Sequence, residues 1–153
     1  MRLITLVSSM MLALVLTGCD NKKDKTGGCT TPADDDAKMQ SYISANGITA
    51  TKDASGIYYQ IIEPGTGATP TINSTVKAKY TGKFTNNKSF DAGETSFPLG
   101  GVIKGWQIGI PLIKQGGKIK LIIPPYLGYG CDDYSGIPGN SVLVFDVDLL
   151  EVQ

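Results

Sequence analysis

The residues of this chain that could do chemistry are defined first by what is missing. No histidine occurs in 153 residues, and the single arginine is Arg2. Serine and cysteine nucleophiles backed by an imidazole are therefore excluded, as are histidine-ligated metal centres. Without a mature arginine there is no planar fork to hold a phosphate or carboxylate through two parallel bonds. Three cysteines remain, Cys19, Cys29 and Cys131, in no CxxC or metal-ligand spacing. Cys131 has no base beside it to make a thiolate, so it reads as a loop residue or a disulfide partner. Carboxylates, tyrosines, lysines and pure binding are left. Against that background GVIKGW, residues Gly101 to Trp106, stands out, because it holds the one tryptophan between glycines and branched aliphatics.

Those residues need a frame, and alternation supplies it. Val76, Ala78, Tyr80 and Phe84 take one face of TVKAKYTGKF, while Lys77, Lys79, Thr81 and Lys83 take the other. The same two-residue period places Ile57, Tyr59 and Ile61 together, then Ile119, Leu121 and Ile123, then Leu143, Phe145, Val147 and Leu149. Half-buried strands alternate in this way, and a sheet with one wet face is antiparallel. Pro64-Gly65, Asn86-Asn87, Gly116-Gly117 and Pro138-Gly139 mark turns between them. Trp106, Ile110 and Ile113 lie at helical spacing, and Pro111 limits that helix to one or two turns. Ahead of the sheet, Asp34 to Asp36 offer cap acceptors, Met39, Tyr42 and Ile43 form an apolar stripe, and Asn46-Gly47 is a stop. A helix over about residues 35–45 is expected. The fold class is α+β: a twisted antiparallel half-barrel sheet wrapped over one short helix, with a short N-terminal helix.

The N-terminus reads as an address. Arg2 precedes an apolar run from Leu3 to Leu16, too short for a comfortable membrane span of ~20 residues. Residues 1–18 are expected to be a signal peptide. Leu16-Thr17-Gly18-Cys19 resembles the bacterial lipobox, which implies cleavage before Cys19 and lipidation of its thiol. Residues 19–33 then form a lipidated cysteine and polar tether, 34–54 a short helix and linker, and 55–153 the main domain. The location expected is the bacterial cell envelope, lipid-anchored and facing the periplasm, with the choice of membrane open. Whether Cys29 and Cys131 pair is also left open. Lys plus Arg equals Asp plus Glu at 14 each, so there is no basic excess for nucleic acid.

The motifs VKAKYTGKF, SFDAG, FPLGGVIKGW, GGKIKLIIPPYLGYG and IPGNSVLVFDVDLLEV, in this order from about Ser55 to Val152, resemble the FKBP-type peptidyl-prolyl cis-trans isomerases. The resemblance implies rotation about X–Pro amides, with Trp106 as the floor of an apolar pocket and the Ile103 N–H offered to a substrate carbonyl. Tyr80, Asp91, Ile103, Trp106 and Tyr129 are the residues it places in catalysis. Phe90, Phe97, Val102, Ile137 and Phe145 are those it places in substrate binding. It implies no metal and no cofactor. The partners it implies are proline-containing segments of unfolded or exported proteins, with macrolide inhibitors as a further ligand class. Three departures from the family pattern are visible: FDAGET lacks the arginine that often follows, GCDDYSG replaces a GATGHPG-like loop, and the segment before Trp106 is shorter than in many members. A non-catalytic module that binds proline peptides or unfolded chains is the alternative. The presence of Tyr80, Phe90, Trp106, Tyr129 and Phe145 together favours the enzyme.

Overall fold

The computed structural model describes residues 28–153. The expected signal peptide, Cys19 and most of the expected tether lie outside the described residues. Eight elements follow in chain order: α1 (Pro32–Ala45), β1 (Thr51–Lys52), β2 (Tyr58–Glu63), β3 (Thr75–Phe84), β4 (Ser89–Pro98), α2 (Lys104–Gly109), β5 (Lys118–Ile123) and β6 (Leu143–Val152). The six strands form one antiparallel sheet in the order β1-β2-β5-β6-β3-β4. The α+β class expected from the alternation is the class observed.

The sheet curls over α2. Val76, Ala78, Leu121, Val147 and Leu149 are fully or almost fully buried beneath it, on the faces their alternation assigns. Two glycines decide how deeply the helix sits. A Cβ on Gly105 would fall 2.5 Å from Ile123 Cγ2, and one on Gly109 would fall 2.4 Å from Leu121 Cδ2. Only bare backbone fits at those points, so α2 lies directly on β5 and carries Trp106 down to the sheet. The helix ends at Gly109, and Pro111 sits in a 3₁₀ turn over Ile110–Leu112, within the one or two turns expected.

Three expectations change. First, α1 begins at Pro32, three residues earlier than expected, because its cap is Thr31 and not the Asp34–Asp36 run. Thr31 Oγ1 accepts from the Asp34 N–H at 3.2 Å, the Asp34 carboxylate accepts from the Thr31 N–H at 3.3 Å, and Pro32 occupies the first turn, where a missing N–H costs nothing. Secondly, the second face of the sheet is not simply wet. Met39 and Tyr42 of α1 bury Tyr58, Ile122 and Val144 there, a second core behind the first. Asp36 fixes this docking by accepting from Tyr58 Oη at 3.0 Å and Gln40 Nε2 at 2.7 Å, and it pairs with Lys52 at 2.6 Å. Thirdly, Ile61 does not turn inward with Ile57 and Tyr59; it is exposed near a register shift that displaces the end of β2 against β5.

The chain is fastened from Gly28 onward, ahead of the tether boundary expected at residue 33. Cys29 and Cys131 form a disulfide across 102 residues of sequence. Beside it Asn140 Oδ1 accepts from the Thr30 N–H at 2.9 Å, and Asn140 Nδ2 donates to Gly28 O at 3.1 Å. Thr30 Oγ1 donates to Asp35, the one buried charged side chain among the described residues, at 2.6 Å. Closing so long a loop restricts the unfolded chain strongly, by roughly 2–5 kcal/mol. The Cys29→Ser, Cys131→Ser double variant should therefore unfold at a lower urea midpoint by about that free energy. An unchanged midpoint would show that the link adds nothing to the non-covalent latch.

Candidate functional site

The candidate site is an aromatic cleft of about 350 Å³ between α2 and the curled sheet. Trp106 forms its floor. The indole is 5% exposed and is held by aromatic edges on three sides. Tyr80 lies 5.2 Å from it and Phe145 5.1 Å, both near perpendicular, and Phe97 lies tilted at 5.3 Å. Edge-to-face packing of this kind satisfies the ring quadrupoles as well as excluding water. The indole N–H is buried and meets no acceptor among the described residues.

The polar groups are few and sit at the rim. Tyr80 Oη donates to Asp91 Oδ2 at 2.9 Å, across the β3–β4 pair. Burial, and then the Asp91 carboxylate, push the Tyr80 phenol above its ordinary value. Tyr129 follows the 3₁₀ turn Pro125–Leu127, and its phenol is raised first by burial and then by Tyr134 and Asp91. Both hydroxyls therefore stay protonated through the neutral range. Val102 and Ile103 run extended into α2, where the Ile103 carbonyl accepts from the N–H groups of Trp106 and Gln107. The Ile103 N–H itself has no protein acceptor among the described residues. No group of three or more potential metal ligands occurs among those residues.

The cleft combines phenols, aromatic walls, the Asp91 carboxylate at the rim and one free backbone donor. What it can do is take in an apolar ring and hold one carbonyl. The profile of the FKBP-type peptidyl-prolyl cis-trans isomerases matches residues 67–150, the segment that contains this whole cleft. The chain belongs to that family. It is 44% identical over 130 residues to the FKBP-type peptidyl-prolyl cis-trans isomerase FkpA of Escherichia coli K12, covering 79% of this chain and 47% of that one. The FkpA of Aeromonas hydrophila is 42% identical, over 76% of this chain and 46% of its own length. The crystal structure of Escherichia coli FkpA superposes with a TM-score of 0.72 at 43% identity, covering 80% of this chain and 61% of that one. A peptidyl-prolyl cis-trans isomerase structure from Pseudomonas syringae gives 0.69 at 26% identity, covering 82% of this chain and 98% of the other. The chain thus spans about half the length of the curated relatives it matches.

Of the residues expected in the site of this FKBP-type domain, Tyr80, Asp91, Phe97, Val102, Ile103, Trp106, Tyr129 and Phe145 do line one cleft. Phe90 and Ile137 do not. They line an adjoining cleft of about 490 Å³ on the far side of Asp91, Tyr129 and Tyr134. The Phe90 ring packs edge-on to Phe145 at 5.6 Å and tilts against Phe84 at 4.8 Å. Sequence reasoning missed Thr95, Gly101 and Tyr134 as site residues, which also line the first cleft. Tyr134 stacks on Tyr129 at 5.0 Å and 11°, which extends the rim with a second aromatic face. A signal was present, since GCDDYSG departs from the family loop and contains this tyrosine.

The raised phenols carry a pH signature. A group whose folded value lies above its unfolded value contributes stability below the unfolded value and loses it as the pH rises through the folded one. Stability should therefore fall as the pH climbs above the ordinary phenol value of 10.0. Thermal melting of Tyr80→Phe should show a shallower alkaline slope than the wild type. Identical slopes would mean the Tyr80 phenol is not perturbed in the folded state.

Proposed function

We propose that the chain is a peptidyl-prolyl cis-trans isomerase that assists the folding of exported proteins. The observation that carries this is the Trp106 floor with an unpaired Ile103 N–H at its edge. A prolyl ring stacks on the indole, and a substrate carbonyl takes the free donor. The amide must pass a resonance barrier of ~18–20 kcal/mol. Unaided, it takes tens to hundreds of seconds. A planar amide carries more charge on its oxygen than a twisted one, so a dry aromatic cleft penalises the ground state more than the twisted state. The Ile103 N–H and the Tyr129 hydroxyl orient the rotating group, and Asp91, held by Tyr80, polarises the rim. No covalent bond is broken, so no histidine is required.

Lipid anchoring at Cys19 is part of the proposal, with the domain in the cell envelope facing the periplasm. The lipobox-like LTGC supports it. Among the described residues no helix is long and apolar enough to cross a membrane. Only residues 20–27 separate Cys19 from the fastened Gly28, a span of at most roughly 30 Å when fully extended. An anchored domain would work close to the lipid surface. Mass spectrometry of membrane-extracted protein should find an acylated Cys19 at the N-terminus, and an unmodified start elsewhere would remove the anchor.

NMR exchange between the cis and trans forms of a short X–Pro peptide tests the activity. Catalytic amounts of the protein should accelerate it, and both Tyr129→Phe and Asp91→Ala should reduce the acceleration while leaving the fold intact. Binding without acceleration would replace the enzyme by a proline-peptide recognition module.

A further inference from the structure

The free Ile103 N–H belongs to the same peptide unit as the Val102 carbonyl. That unit is planar and trans, as are all peptide bonds among the described residues, so its C=O and N–H point in opposite directions. Whatever holds the oxygen therefore aims the hydrogen. The oxygen is held by Gln107, whose Nε2 donates to Val102 O at 2.7 Å and to Gly100 O at 3.1 Å. The amide cannot be turned over. Its nitrogen faces two carbonyls, which only accept, and its Oε1 faces Lys104 Nζ at 3.2 Å, which only donates. The Gln107 backbone N–H grips the next carbonyl as well, donating to Ile103 O at 3.2 Å. Leu99 fixes the other end of the segment: its side chain is fully buried and its N–H donates to Ser74 O at 2.9 Å. Between these anchors lie Gly100 and Gly101, which have little side-chain packing of their own to resist rotation of the peptide planes.

We infer that Gln107 is a positioning residue for the reaction: it clamps the Val102–Ile103 peptide so that the Ile103 N–H faces the cleft, one position along the helix from the Trp106 floor. The assignment rests on the isomerase reading for its consequence in rate, but not for its geometry. A hydrogen bond to the carbonyl end also polarises the N–H at the other end, which strengthens it as a donor. Gln107 does not itself touch substrate; it acts through the peptide it holds.

Two variants test this in the full chain. Gln107→Glu keeps the shape, sets a carboxylate against two carbonyl oxygens and draws the side chain toward Lys104. Gln107→Met removes both donors without adding charge. In each, the Ile103 amide resonance should move, and kcat/KM for an X–Pro peptide should fall about fivefold, the loss expected for one well-formed hydrogen bond. The melting temperature should be nearly unchanged, because the segment is also pinned at Leu99. In a variant that melts like the wild type, an unmoved Ile103 amide or an unchanged kcat/KM overturns the assignment. If the wild type accelerates no exchange, the isomerase reading fails separately. The clamp is then judged by affinity, and a variant that binds the proline peptide as tightly as the wild type overturns it.

Discussion

The seating of α2 on β5 is the constraint on which the rest of the site depends. Gly105 and Gly109 present bare backbone to Ile123 and Leu121, at distances that would leave no room for a Cβ. The helix is only six residues long, too short to be stable alone, so its place is set by this contact and by the core around it. Because it sits so low, Trp106 reaches the plane of Tyr80 and Phe145 and becomes a floor, where a higher seat would leave it a plug. The preceding loop enters the helix at Ile103, so the same seating sets the height of the free N–H. Floor and donor are two outcomes of one packing decision.

From that arrangement the absence of histidine becomes intelligible. The described cleft offers aromatic surface, three phenols, one carboxylate and one backbone donor, which suits a reaction that moves no covalent bond. Water exclusion and orientation can lower such a barrier without an acid or base of matched pKa. The loop that completes the rim is held from outside the catalytic frame. Cys131 and Asn140, at its two ends, are tied to Cys29 and Thr30, so the N-terminal segment braces the wall that carries Tyr134.

How much of this was legible depended on the range of the interaction. The faces of β3, β5 and β6 that meet the main core were readable because each strand pairs with neighbours on both sides, whereas the burial of Ile122 and Val144 on the opposite face comes from α1. Ile61 was misread because alternation reports a strand's face and not whether that face is covered: it lies exposed at the end of β2, next to a register shift. The start of α1 was misplaced because three consecutive aspartates imitate a cap, while the actual capping box is the subtler Thr31-x-x-Asp34. Of the ten residues expected from motif position, eight lined the Trp106 cleft. Phe90 and Ile137 did not, because a motif fixes a residue's place on a strand or loop and not the side of a neighbouring ring on which it lands. The Cys29–Cys131 link, the Tyr129–Tyr134 stack and the Gln107 clamp are contacts between segments, with no local pattern to announce them.

The central claim is that the Trp106 cleft is complementary to a twisted prolyl amide more than to a planar one. Calorimetric titration of the full chain with two ligands of equal size tests it most directly. One is a planar proline peptide, and the other is a bridged bicyclic lactam whose ring holds the amide out of plane. Complementarity to the twisted state predicts tighter binding of the lactam by a factor of about 10² or more. Equal affinity for the two would contradict the account and leave the cleft a site that only recognises proline.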